Sequence, residues 1–522
     1  MDSALYQGPS VGELVISAVG RGGERTAFIS DQLQWSYREL GAKISQAVQV
    51  LKARGLQRGD AVATLSANRP EAFLVTAAAY LMGLRLTWMN PTSSEDDHAY
   101  ILEDSGVRTL FVDPEAFAER AARLVQRVPA VARVMGFGAV GALGEDLLAA
   151  MEGFTPQPLR AEAQADDVCV LVYTGGTTGL PKGVAHTHRV HVTMILTEMA
   201  EWDWPREIRF LALTPITHAS GAMIMPVLLK SGTYAMTQGF TPDKFCRLVQ
   251  QHRITATFLV PTMVYVLLDH PGRAQADLSS LQLVIYGASP MSPARLIEGM
   301  RVFGPVFMQL YAQSEAPNTL TVLHQHEHDP ARPERLASCG TPCAGTQLAL
   351  LDEAGQPVAD GEVGEICVRG PIVMQGYWNK PEETAKAFRH GWLYTGDMAR
   401  RDVDGYLYIV DRSKDMIISG GFNVYPREVE DVLSTHPAVA SSAVVGVPDE
   451  KWGEAVRALV VLRAGASATA EELMALVRER KGPVYTPKAI DFVDALPVTG
   501  LGKLDKKAIR ARYWQGQQRS VH

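Results

Sequence analysis

A chain of 522 residues exceeds what one hydrophobic core organises and predicts about two to four domains. Hydrophobic residues make up 47% and charged residues 20%, which excludes intrinsic disorder, and 50 basic against 57 acidic side chains leave a net charge of −7 with no footprint for nucleic acid. The start, MDSALYQGPS, lacks a secretory pattern, the apolar run at 72–84 is too short for a bilayer, and five scattered cysteines read as reduced thiols, so a cytoplasmic protein with no integral membrane segment is expected.

The first segment has an α/β rhythm. Ser36 and Glu39 form a capping box before apolar residues at Tyr37, Leu40, Ile44, Val48 and Leu51, and Gly55 stands where the helix should end. A strand at 61–65, an Ala-rich helix after Pro70 and a strand near 107–112 follow, the pattern of a parallel sheet covered by helices. Asn68, just before Arg69 and Pro70, reads as a helix cap.

Residues 168–172 are a short apolar run, a buried strand, and 173–183 read YTGGTTGLPKG, with a helix expected soon after Thr187. Glycines let a backbone approach a ligand closely, threonines and backbone N–H groups donate, and Lys182 adds a full charge, an inventory suited to polyphosphate. Lys182 follows Pro181 and precedes Gly183, which excludes a Walker A loop. His186, His188 and His191 have no partner carboxylate motif and read as helix-start residues, and Cys339 with Cys343 completes no zinc site.

Apolar runs at 210–213, 258–260, 283–285 and 306–310 each end in polar, Gly or Pro residues. Ligands of open α/β sheets bind outside the carboxyl ends of strands, so the loops from Thr214, Pro261, Tyr286 and Tyr311 should share one crevice with 173–183. From 344 to 412 short alternating segments separated by DEAG, ADGEVGE and DVDG predict a small antiparallel unit. Beyond it a separate α+β unit is expected, with helices near 426–433 and after the Thr469/Glu472 capping box and strands at 443–447 and 458–462.

The 173–183 stretch resembles the phosphate-binding signature of the acyl-adenylate-forming superfamily of acyl- and aryl-CoA ligases. TPITHASG at 214–221, YGASP at 286–290, QLYAQSEA at 309–316, YTGDMA at 394–399, DRSKDMIISGG at 411–421 and LPVTGLGKLDKK at 496–507 resemble further motifs of that superfamily, in its order. The resemblance implies that Thr174, Gly175, Gly176, Thr177, Thr178, Gly179 and Lys182 hold the ATP phosphates, that Gly287, Ala288 and Ser289 form the adenine turn, and that Tyr311 stacks on adenine beside Ala312 and Gln313. Ser314 would contact the α-phosphate, Glu315 with Thr174 would hold Mg²⁺, and Asp397 and Arg412 would bind the ribose. His218 would sit beside the substrate carboxylate, in a pocket with Gly221, Ala222, Met223, Tyr286, Gly287 and Pro317. Lys414 would be the hinge residue, Gly420, Gly421 and Phe422 would line the CoA channel, and Lys503 would reach the carboxylate and α-phosphate oxygens. The chain departs from the pattern where Ala312 replaces a glycine, Ser314 a threonine, Lys414 the aspartate of many members, and Lys506 or Lys507 stands where an arginine is common.

By this resemblance the fold is α/β: a large N-terminal domain of stacked α/β sheets with a small antiparallel β unit (1–411), a hinge (412–414) and a smaller mobile α+β C-terminal domain (415–522). The implied reaction joins a carboxylic acid to AMP from ATP and then to a thiol. The presumed wall segments 218–225, 286–291 and 310–318 are mostly apolar, favouring a fatty or aryl acid. The acceptor stays open between CoA and the phosphopantetheine of a carrier protein, as does a homodimeric state. An inactive adenylate-binding protein is the contrasting reading; it would be expected to have lost Glu315, Asp397 or Lys503, and none is lost.

Overall fold

A computed structural model describes residues 8–31, 33–174, 180–412, 415–419, 422–449, 451–498 and 504–514. Among these, the strands assemble into four sheets, two of them large. The first large sheet has eight strands, with Val168–Thr174, Arg85–Met89, Ala61–Leu65 and Thr109–Val112 adjacent and parallel in its middle. The second has nine, with Thr233–Met236, Arg209–Ala212, Ala256–Leu259, Leu283–Tyr286 and Phe307–Gln313 parallel in its centre and antiparallel strands at both edges.

Helices between the sheets unite them in one hydrophobic core. The helix Pro70–Met82 is apolar nearly all round, and every residue except Thr76 is buried. Such a helix fits only where protein surrounds it. The Ser36/Glu39 capping box starts the helix Tyr37–Ala53 as expected, and Gly55 follows the Arg54 cap in a left-handed conformation (φ 81°).

The helix expected after Thr187 begins there, as His188–Glu201 capped by Thr187, but the sequence did not show that the residues before it form the strand Lys182–Thr187, antiparallel to Val168–Thr174. Lys182 thus stands directly across from Thr174.

The third sheet is the small antiparallel unit, built on Gln347–Leu351, Val363–Arg369, Trp392–Arg401 and Leu407–Arg412. The fourth begins at Ile417–Ser419 and pairs Gly453–Leu462 with Val439–Asp449, covered by the helices Pro426–Ser434 and Ala470–Lys481 around its own core. The protein is therefore a large N-terminal domain of mixed α/β sheets followed by a smaller C-terminal domain.

Candidate active site

Lys182 and Glu315 lie far apart in sequence and meet through Tyr377. Lys182 Nζ is 2.5 Å from Glu383 Oε2 and 5.2 Å from the centre of the Tyr377 ring, and the Tyr377 hydroxyl donates to Glu315 Oε1 at 2.7 Å. The strand Gly376–Tyr377 reaches this place by pairing with Lys182–Thr187, and the helix Pro381–Ala387 then delivers Glu383. Sequence reading missed both Tyr377 and Glu383. Their only local signal is a Gly-Tyr pair shortly before a proline-started helix. Gly175, Gly176, Thr177, Thr178 and Gly179 lie outside the described residues.

The strand Phe307–Gln313 carries Tyr311 to the edge of the small antiparallel sheet. Its hydroxyl donates to Asp397 Oδ2 at 2.7 Å, and Gln313 Nε2 donates to the same oxygen at 3.3 Å. Arg412 faces Asp397 across the ladder of Trp392–Arg401 with Leu407–Arg412, so three separated motifs converge. Ala312, Ser314 and Glu315 are partly exposed beside them. In the neighbouring turn Gly287 has no room for a side chain, because a Cβ there would lie 2.6 Å from the Leu310 carbonyl oxygen. Ala288 takes a left-handed backbone (φ 66°), a strained conformation for a residue with a Cβ, and Ser289 is half-buried next to it.

The segment after Arg209–Ala212 is held by Asn68. Its side-chain amide donates to the carbonyls of Thr214 (2.9 Å) and Thr237 (3.0 Å) and its oxygen accepts from Ile216 N (2.9 Å). The capping role expected for Asn68 is therefore wrong: Arg69 occupies that position, with no side-chain cap bond. The backbone offered a better use, since an amide that both donates and accepts can join two loops. Asn68→Leu should leave these groups short of partners, at a cost on the order of 3 kcal/mol. A urea midpoint lowered accordingly, with adenylation slowed more than unfolding explains, is the expected result.

His218 follows as the residue before the short helix Ala219–Ala222, with its Nδ1 2.9 Å from Thr217 Oγ1. Gly221 and Ala222 line a narrow cleft that runs in between the two large sheets. Two expected wall residues are corrected. Tyr286 is fully buried with its hydroxyl 3.0 Å from His328 Nε2, and Met223 is fully buried just after the helix Ala219–Ala222, so both are core side chains. Pro317 is buried in the strand Ala316–Leu323.

Phe422 is 61% exposed on the strand Phe422–Val424 of the C-terminal sheet. Lys414, Gly420, Gly421 and Lys503, and the Arg412 side chain, lie outside what the structure describes. Lys506 is half-buried between Glu430 (2.9 Å) and Asp411 (3.9 Å), carboxylates that, against the desolvation of their setting, hold its ammonium firmly protonated.

The chain matches the family model of the AMP-binding enzymes over residues 16–378 and that of the AMP-binding enzyme C-terminal domain over 428–503. It belongs to the AMP-binding enzymes. A medium/long-chain-fatty-acid–CoA ligase of Mycobacterium tuberculosis is 48% identical, covering 98% of this chain and 91% of its own. A feruloyl-CoA synthase of an Amycolatopsis species is 39% identical over 92% and 94% of the two chains. Among solved structures, an amide bond synthetase from Marinactinospora thermotolerans superposes with a TM-score of 0.89 at 33% identity, covering 96% and 99%. This AMP-binding enzyme is accordingly an acid–thiol ligase of the acyl-CoA synthetase kind.

Of the three histidines expected at a helix start, His188 and His191 lie in the first turn of His188–Glu201, whereas His186 is on the strand before it, and all three are buried. His186 Nε2 lies 2.6 Å from the Ser314 carbonyl and its Nδ1 3.1 Å from His191 Nε2, while His188 Nδ1 accepts from Val11 N at 3.1 Å. Burial pushes His186, His188 and the separate His328 each down to about 4. In the unfolded chain they titrate near 6.5, so below that pH the unfolded state binds protons the folded state refuses, and stability falls as pH drops from about 6.5 towards 4, by up to about 3 kcal/mol per histidine. Urea midpoints across that range should decline, and His328→Gln should flatten the slope.

Proposed function

We propose that this enzyme activates a hydrophobic fatty or aryl carboxylic acid with ATP and transfers the acyl group to CoA. The observation that carries this reading is the cleft at Gly221 and Ala222, whose walls are mainly apolar and carry no Asp, Glu, Lys or Arg, opening beside the loop of His218. It offers nothing to an α-ammonium group and suits an apolar tail.

The acid's carboxylate is ionised at neutral pH and needs no base. It attacks the α-phosphorus, pyrophosphate leaves, and the thiolate sulfur of CoA then displaces AMP. Meeting of two anions is the obstacle, so the side chains' task is to align and neutralise. Lys182 would guide the departing phosphates once ATP draws it from Glu383, His218 would orient the carboxylate, Tyr311 and Asp397 would bind adenine and ribose, and Lys503 would neutralise the reacting oxygens. The donor set suits Mg²⁺ held mostly by phosphate: Glu315 offers one carboxylate, Thr174 one hydroxyl across the strand pair from Lys182, and among the described residues no group of three His, Cys, Asp or Glu forms a cage. The ion, when bound, would lower the negative charge of the phosphates.

Residues 1–411 would act as the adenylation unit, 412–414 as the hinge and 415–522 as a lid that turns between half-reactions, exchanging Lys503 for Gly420, Gly421 and Phe422. A cytoplasmic setting is supported by five buried free cysteines and by the fact that, among the described residues, no helix is long and apolar enough to cross a membrane.

ATP–pyrophosphate exchange across aliphatic and aryl acids, followed by CoA addition, tests the reading. Exchange with apolar acids and thioester on adding CoA are expected. Exchange without thioester would move the acceptor to a carrier protein, and absence of exchange with every acid would favour an adenylate-binding protein.

A further inference from the structure

The inner wall of the cleft is not purely apolar, and its polar atoms have a fixed sense. The Ser314 carbonyl can only accept, so His186 must present its ring proton at Nε2 and a bare Nδ1 to the next histidine. Both rings are neutral, since burial holds His186 at about 4 and His191 well below the usual histidine range. His191 must therefore donate from Nε2 to His186, leaving its own Nδ1 as an acceptor. That nitrogen is 3.2 Å from the Tyr80 hydroxyl, which accordingly gives its proton to His191. The Tyr80 oxygen is left with a lone pair and no proton to offer.

Tyr80 and His191 both line the cleft, and so does Thr64. Thr64 is 4% exposed and its Oγ1 has no hydrogen-bond partner. Such a buried hydroxyl calls for an occupant. Thr76 and Ser66, also on the wall, have spent their protons on the carbonyls of Ala72 (3.1 Å) and Ala67 (2.8 Å). The wall therefore holds acceptors at Tyr80, Thr76 and Ser66 and one uncommitted hydroxyl at Thr64, set among Phe73, Trp88 and Ile195.

We propose that Tyr80 and Thr64 select an acid that carries an uncharged hydrogen-bond donor, a hydroxyl, at the end of its apolar body remote from the carboxylate. This rests on the reading that the cleft receives the acid's tail. A hydroxyl there would donate to the Tyr80 lone pair and engage Thr64, whereas a plain hydrocarbon end leaves that lone pair and the Thr64 hydroxyl unengaged. A carbonyl end could accept from Thr64 alone and would face acceptors at Tyr80, Thr76 and Ser66, and a carboxylate would meet no cation. The direction of recognition comes from the carbonyl of Ser314, so the adenylate-binding strand sets the polarity of the tail site.

The test compares kcat/KM for pyrophosphate release between matched acids: 4-hydroxycinnamate against cinnamate, and an ω-hydroxy aliphatic acid against the parent acid of equal length. The ratio within each pair is independent of how much of a preparation is folded. Wild type should favour the hydroxylated member of at least one pair by roughly tenfold or more, and Tyr80→Phe or Thr64→Val should reduce that ratio by about tenfold, the worth of one hydrogen bond. Equal rates for both members in wild type, or a ratio that survives both substitutions, would overturn the proposal. Thr76→Phe, which fills the cleft, separates the underlying reading: it should depress turnover of the long and aryl acids. Unchanged turnover of every acid by Thr76→Phe would remove the tail from this cleft, and the hydroxyl preference with it.

Discussion

Lys503→Ala is expected to cut adenylation by about three decades while leaving thioester formation from a preformed acyl-adenylate largely intact. An ammonium about 4 Å from a developing oxyanion, at an effective dielectric near 20, contributes on the order of 4 kcal/mol, and that energy converts to about a thousandfold in rate. The flanks of this lysine are firmly held: Val498 bridges to Leu504, Asp505 N donates to the Pro497 carbonyl at 2.9 Å, and Asp505 caps the helix Lys506–Ala511. Removing the side chain should thus subtract a charge without loosening the segment's ends. Single-turnover assays started from ATP plus acid, and separately from synthetic adenylate plus CoA, check it. Equal losses in both would contradict the role.

Gly221→Val should be nearly as severe, for a steric reason. A Cβ at this position would lie 1.7 Å from the Ile216 carbonyl oxygen, a backbone atom that cannot swing aside, so the loop carrying Thr217 and His218 must move. Overpacking of this kind costs about 1–3 kcal/mol in stability. The larger effect is on turnover, because displacing a positioning loop by about 1 Å can lower rate roughly a hundredfold. The expected result is a folded protein with a modestly lowered urea midpoint and exchange activity reduced by about two decades for every acid. Loss confined to bulky acids would instead mean that residue 221 merely borders the tail.

Much of this could be read locally. The Ser36/Glu39 and Thr469/Glu472 capping boxes start their helices as expected, because the signal is a short-range exchange of hydrogen bonds that any tertiary setting preserves. The strand at Ala61–Leu65 and the turn at DVDG, where Asp402 Oδ1 accepts from Tyr406 N at 2.9 Å, were equally local. The strand Lys182–Thr187 was not: six residues after a glycine-rich loop gain their conformation from pairing with Val168–Thr174 on one side and Gly376–Tyr377 on the other.

The site followed the same division. From residue types alone only Lys182 and its glycine-rich loop pointed to polyphosphate; the roles of His218, Tyr311, Glu315 and Asp397 came from the resemblance of their motifs, in order, to those of the superfamily. Tyr377, Glu383 and Asn68 became functional candidates only when strands from different parts of the chain came together. The three histidines show the limit most clearly. Spacing placed them at a helix start, which holds for His188 and His191 but not for His186, and it gave no sign that burial would make them neutral or that a carbonyl 128 positions away from His186 would set the direction of every proton between Ser314 and Tyr80. Residue type and order thus determined the chemistry available to this protein. Which atoms meet, and which of them are left to face a substrate, was decided by long-range packing and the hydrogen bonds it closes.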